Sequence, residues 1–98
     1  MTTVKEITSL MHSPSEADIA LVTKAYDFAQ KAHEKHLRAS GEPYFNHLTA
    51  TAEELAKLGM GSKTIAAGLL HDSIEDVHVP EETRRQEFGE EVLFLVQG

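Results

Sequence analysis

The chain has 98 residues, a formal net charge of −7, 41% hydrophobic and 26% charged residues, and no cysteine. That is one small soluble-type domain with a thin margin for burying a core, with neither disulfides nor thiolate metal sites. No apolar run is long enough to span a bilayer, no basic-then-apolar leader opens the chain, and the acidic balance argues against nucleic acid as a partner. The absence of cysteine fits a reducing compartment, so the expected location is cytoplasmic.

Taken in order, the elements all read as helical. Residues 4–11 make a weak first helix. Ser13-Pro14-Ser15-Glu16 reads as a helix start, with Ser13 as N-cap, Pro14 in the first helical position and Glu16 as the returning acid. Ile19, Val22, Tyr26 and Ala29 recur at three- and four-residue spacing, which predicts one buried face and a helix running to about Lys35. Residues 37–43 contain Arg38, Ser40, Gly41 and Pro43 and read as a loop. Pro43 then opens a helix whose apolar stripe is Phe45, Leu48, Ala52 and Leu55, and Gly59 ends it.

Ser62 is expected to cap the next helix, which carries Ile65, Ala66, Leu69, Leu70 and Ile74. Its apolar arc is wide, so it belongs at the centre of the fold. A further helix begins at Pro80, with Glu81 and Glu82 in its first turn, and ends near Phe88-Gly89. The last stretch, residues 90–97, is mostly apolar and must pack on the helices before it, be continued by more chain, or be covered by a second copy. No strand alternation, repeat or linker appears, so the expectation is a single all-α domain over residues 1–98.

The chemistry concentrates at His71-Asp72-Ser73-Ile74-Glu75-Asp76. His71 and Glu75 are four apart, Asp72 and Glu75 three, Asp72 and Asp76 four, so all four side chains share one side of a helix end. In an acidic protein such crowding is relieved by a divalent cation, which replaces carboxylate repulsion with shared coordination. Imidazole with carboxylates suits manganese, iron or zinc better than calcium or magnesium. A lone His-Asp pair arises often by chance. His47 alone reads as an ordinary surface or core histidine, and Arg38 alone as a solvated charge.

Taken together, these segments resemble the hydrolase domain of the RelA/SpoT family of alarmone enzymes, within the HD-domain phosphohydrolases. The matching pieces are Ala25-Tyr26-Asp27-Phe28-Ala29 with Ala32-His33, then Arg38-Ala39-Ser40-Gly41-Glu42-Pro43-Tyr44 with His47, then residues 65–76, then Phe88-Gly89-Glu90-Glu91-Val92. The likeness runs from about Asp18 to Gly98. It implies an HD-type helical bundle, here its N-terminal part, that removes the 3′-pyrophosphate from ppGpp or pppGpp to leave GDP or GTP. By the same resemblance His47, His71 and Asp72 would be ligands of a Mn2+ site. Glu75 and Asp76 would orient or activate the attacking water, and Arg38 and Ser40 would contact the guanine nucleotide.

Members that only synthesise alarmone tend to lack the acidic pair, which this chain keeps. It departs from the family in two places. Leu48 stands where a proline is usual after the histidine, and no aspartate follows Asp76, whereas the family draws a fourth ligand from a later helix. The expectation is therefore an N-terminal portion with an incomplete site and, for this chain alone, weak turnover. The partner would be a guanine nucleotide alarmone, with self-association through the apolar C-terminal segment. Two alternatives stand beside this reading: a non-catalytic HD-like nucleotide-binding or regulatory module, and an HD phosphohydrolase acting on another nucleotide.

Overall fold

The computed structural model describes residues 3–71 together with Phe88, Gly89, Val92 and Leu95. Four helices follow one another: α1 Val4–Leu10, α2 Glu16–Ala32, α3 Tyr44–Lys57 and α4 Ser62–Leu70. The described part of the chain is thus all-α, as expected. α4 lies between α2 and α3 and packs chiefly on α2, while α1 closes the other side against α3 and α2.

α4 is central because past its first turn it carries only apolar residues and a glycine. Ile65, Ala66, Leu69 and Leu70 are fully buried and Ala67 nearly so. Leu48, Ala52 and Ala56 of α3, Val22, Ala25 and Ala29 of α2, and Ile7 of α1 join it in one core. Each large aliphatic side chain buried there contributes about 1.5–3 kcal/mol. Two aromatic pairs add edge-to-face contacts: Tyr26 with Phe45 at 4.9 Å, and Phe28 with Phe88 at 5.5 Å. Val92 is also in this core, whereas Leu95 is 44% exposed. The apolar tail therefore begins on the helices that precede it.

The helix starts differ from the sequence expectation. Ser13 has φ +48, outside the extended geometry that an N-cap needs. Ser15, at φ −78 and ψ 170, caps α2 instead, and its partner in the capping box is Asp18 rather than Glu16. Asp18 N–H donates to Ser15 Oγ at 3.1 Å, and Ser15 N–H donates to the Asp18 carboxylate at 2.9 Å. The other carboxylate oxygen accepts from Ser62 Oγ at 2.7 Å. Ser62 is thus not the cap of α4: Gly61 takes that position, and the Ser62 hydroxyl ties the start of α4 to the start of α2.

α2 ends at Ala32, three residues short of the expected Lys35, because the chain turns at His33, whose carbonyl accepts from His36 N–H at 3.0 Å. Ile19, placed on the buried face by its spacing, is 39% exposed. The end of α3 agrees with expectation. Gly59 at φ +79 lets its own N–H reach the Ala56 carbonyl and Met60 N–H reach that of Leu55, both at 3.0 Å, a Schellman motif.

Gly68 lets α4 approach α3 closely, since a Cβ there would meet Leu55 Cδ1 at 2.9 Å. Leu55 is only partly buried, so its terminal methyl can turn away. Alanine also gains about 1 kcal/mol of helix propensity over glycine. Gly68→Ala is therefore expected to leave stability within about 1 kcal/mol of the native chain. Gly68→Val is expected to lose about 1–3 kcal/mol by overpacking. Urea denaturation of both variants measures the difference.

The hydrogen bonds of Asp18, above all those from Ser15 N–H and Ser62 Oγ, hold its carboxyl below its ordinary value of 3.8. A depressed folded-state pKa contributes stability that is whole above the unfolded value and is lost as pH falls through the folded one. Asp18→Asn should accordingly be less stable than the native chain at pH 7. The two denaturation midpoints should converge as pH drops below about 3.8. Ser15→Ala should cost about 1 kcal/mol through the lost cap.

Candidate functional site

The segment 37–43 that the sequence marked as a loop is a tight hairpin, closed by pairing between residues 36 and 44. Leu37 and Pro43 form an antiparallel bridge. Arg38 N–H donates to the Glu42 carbonyl and Gly41 N–H to the Arg38 carbonyl, both at 2.8 Å, while Tyr44 N–H donates to the His36 carbonyl at 2.9 Å. Gly41, at φ +87, supplies the left-handed residue that a three-residue hairpin loop requires. Pro43 has no N–H to give, and its pairing position asks for none. The hairpin presents Arg38 and Ser40 to solvent, with Ser40 Oγ accepting a long bond of 3.5 Å from Glu42 N–H.

At the base of the hairpin stands a group of rings that the sequence did not bring together. His33 is 1% exposed, and its Nδ1 meets His36 Nδ1 at 3.1 Å. The Tyr44 ring lies over His36, centroids 4.6 Å apart at 16°, and beside His33 at 5.1 Å. Tyr44 also touches the ring of His47 at 5.7 Å. His33 and His36 are three apart, as are Tyr44 and His47, and a hairpin between them folds one pair onto the other. Asn46, next to His47, buries its Oδ1 without a hydrogen-bond partner among the described residues, a feature with no sequence signature.

His47 lies on α3 and is exposed. His71 lies at the C-cap of α4, also exposed. His71 Nδ1 is 2.8 Å from the Gly68 carbonyl. A carbonyl only accepts, so Nδ1 carries a proton, and in the neutral ring the lone pair is then on Nε2, the tautomer in which a histidine meets a metal through Nε2. Asp72, Glu75 and Asp76 lie outside the described residues. Among the described residues no three His, Asp or Glu side chains gather at one point. A recess of about 250 Å³ near the starts of α2 and α4, lined by His12, Asp18, Ser62 and Lys63 among others, contains none of the candidate catalytic, metal or nucleotide-binding residues.

Residues 25–98 match the family described as HD domain. A guanosine-3′,5′-bis(diphosphate) 3′-pyrophosphohydrolase of Aquifex aeolicus is 43% identical over 89 residues, which is 91% of this chain and 12% of that protein. A probable enzyme of the same name from Mycoplasma pneumoniae is 47% identical over 78 residues, 80% of this chain and 11% of that protein. A probable GTP pyrophosphokinase of Mycobacterium leprae is 43% identical over 83 residues, 85% of this chain and 10% of that protein. The chain spans about a tenth of the length of these curated relatives. With a matching family description over most of its length and these relatives beside it, the chain belongs to the HD-domain family, in its RelA/SpoT branch.

Proposed function

We propose that this chain is the N-terminal helical part of an HD-type hydrolase that removes the 3′-pyrophosphate of a guanosine tetra- or pentaphosphate. The observation that carries the reading is the 43% identity, over 91% of the chain, to a protein named for that hydrolysis. Other relatives are named for GTP pyrophosphate transfer. The Glu75-Asp76 pair favours the hydrolytic direction, because hydrolysis needs groups that hold a water and take its proton.

The residues present fit a divalent cation, in this proposal Mn2+. His71 contacts the Gly68 carbonyl through Nδ1, so Nε2 is the atom through which it would meet the cation. Asp72 follows it in sequence and His47 offers a second imidazole. When bound, the cation supplies a lowered water pKa and offsets the pyrophosphate charge in a protein of net charge −7. Glu75 and Asp76 position the attacking water and receive its proton. Arg38, at the hairpin tip, gives the guanidinium that receives the nucleotide, with Ser40 as a hydrogen-bonding neighbour. Gly41 keeps that tip in shape.

Mn2+ titrated into the 98-residue protein should broaden the imidazole resonances of His47 and His71 together and leave that of His12 sharp. Broadening of His71 without His47 would remove His47 from the ligand set. Addition of ppGpp should then perturb the Arg38 and Ser40 amides. Turnover by this chain should stay far below that of a version extended to an aspartate-bearing later helix; equal turnover would show a complete enzyme within residues 1–98. Gly41→Ala has room for its methyl but pays a left-handed strain of about 1–2 kcal/mol. It should weaken ppGpp binding about tenfold without changing Mn2+ affinity.

A further inference from the structure

The two histidines at the foot of the hairpin meet in a way that decides what they can do. Their planes are 26° apart and their centroids 5.3 Å apart. That separation is close to the largest the contact allows, the 3.1 Å between the Nδ1 atoms plus the two short distances from atom to ring centre. The rings therefore meet head to head, edge against edge, rather than face on face. An Nδ1–H···Nδ1 bond needs one donor and one acceptor, so the pair shares a single proton in that bond and each ring fixes the tautomer of the other.

Tyr44 covers this bond from one side, close to parallel with His36 and tilted against His33. The backbone repeats the contact: His36 carbonyl accepts from Tyr44 N–H, and His36 N–H donates to the His33 carbonyl. His33 is anchored by burial, while His36 is exposed and stands two residues before Arg38. His36 is thus held on three sides at the point where the hairpin leaves the helical body.

We propose that His36 is the positioning residue of the hairpin, fixed by the head-to-head bond from His33 and by the Tyr44 ring, and that through it Arg38 and Ser40 are held ready for the nucleotide. The link from hairpin to nucleotide rests on the function proposed above; the clasp itself does not. Because Tyr44 also touches His47, the same ring joins the hairpin to a candidate metal ligand.

Amide hydrogen exchange on the 98-residue protein tests the clasp. In His36→Ala the Arg38, Gly41 and Tyr44 amides should exchange at least about tenfold faster, while the Ile65 and Leu69 amides of α4 stay protected, showing that the fold is intact. His36→Asn keeps a hydrogen-bonding atom at the Nδ1 position and should recover a large part of that protection. The native chain should also show a downfield imidazole N–H signal that both His36→Ala and His33→Ala lose. Unchanged hairpin exchange in His36→Ala overturns the proposal. Calorimetry with ppGpp and with Mn2+ alone separates this from the functional reading. His36→Ala should weaken ppGpp about tenfold and leave Mn2+ affinity within twofold. If the native chain binds no ppGpp, the nucleotide reading falls while exchange still decides the clasp.

Discussion

The need to cover α4 organises this protein. A nine-residue helix with five of its side chains fully or nearly fully buried besides Ser62 cannot lie on a surface. It requires a helix on each side, and α2 and α3 take those places. Two further consequences follow from that constraint. The glycine at position 68 sits where the α3 side chains come closest, and the same glycine's carbonyl fixes the tautomer of His71. The packing that stabilises the domain therefore also orients the His71 ring.

The ends of the elements answer to hydrogen bonds that a periodic pattern does not contain. By sequence the capping role falls to Glu16 and none to Asp18. In the fold it joins Ser15 and Ser62, forty-four residues apart from the latter, and so takes part in a tertiary contact as well as a cap. A capping box is readable from four adjacent residues. Its extension to a distant serine is not, and that is why Ser62 looked like a cap.

Much of the remainder was legible for a physical reason. Apolar spacing located α2, α3 and α4, and Gly59 marked the end of α3 because a Schellman turn needs a left-handed residue there. Ile19 was misplaced since it sits at the first turn of α2, where the neighbouring helices no longer cover it. In the candidate site, His47, His71, Arg38 and Ser40 were visible through a resemblance of joint motifs. The His33–His36–Tyr44 cluster was not, because it depends on a hairpin whose cross-chain pairing sets residues eight apart face to face. Asp72, Glu75 and Asp76 stand on sequence alone.

The hairpin has a further meaning for how this segment can vary. Along an extended arm successive side chains alternate between two faces. His36 and Arg38 therefore share one face while Leu37, 59% exposed, takes the other. Substitution at the tip changes which group is presented. Insertion or deletion of a single residue does something else, because it would shift the pairing of Leu37 with Pro43 and exchange the two faces. Arg38 would then turn away from the side on which His36 meets Tyr44. The segment is fixed in length, and at its apex Gly41 is fixed by its left-handed backbone, so variation among such hairpins should appear as replacement of the other residues rather than as gaps.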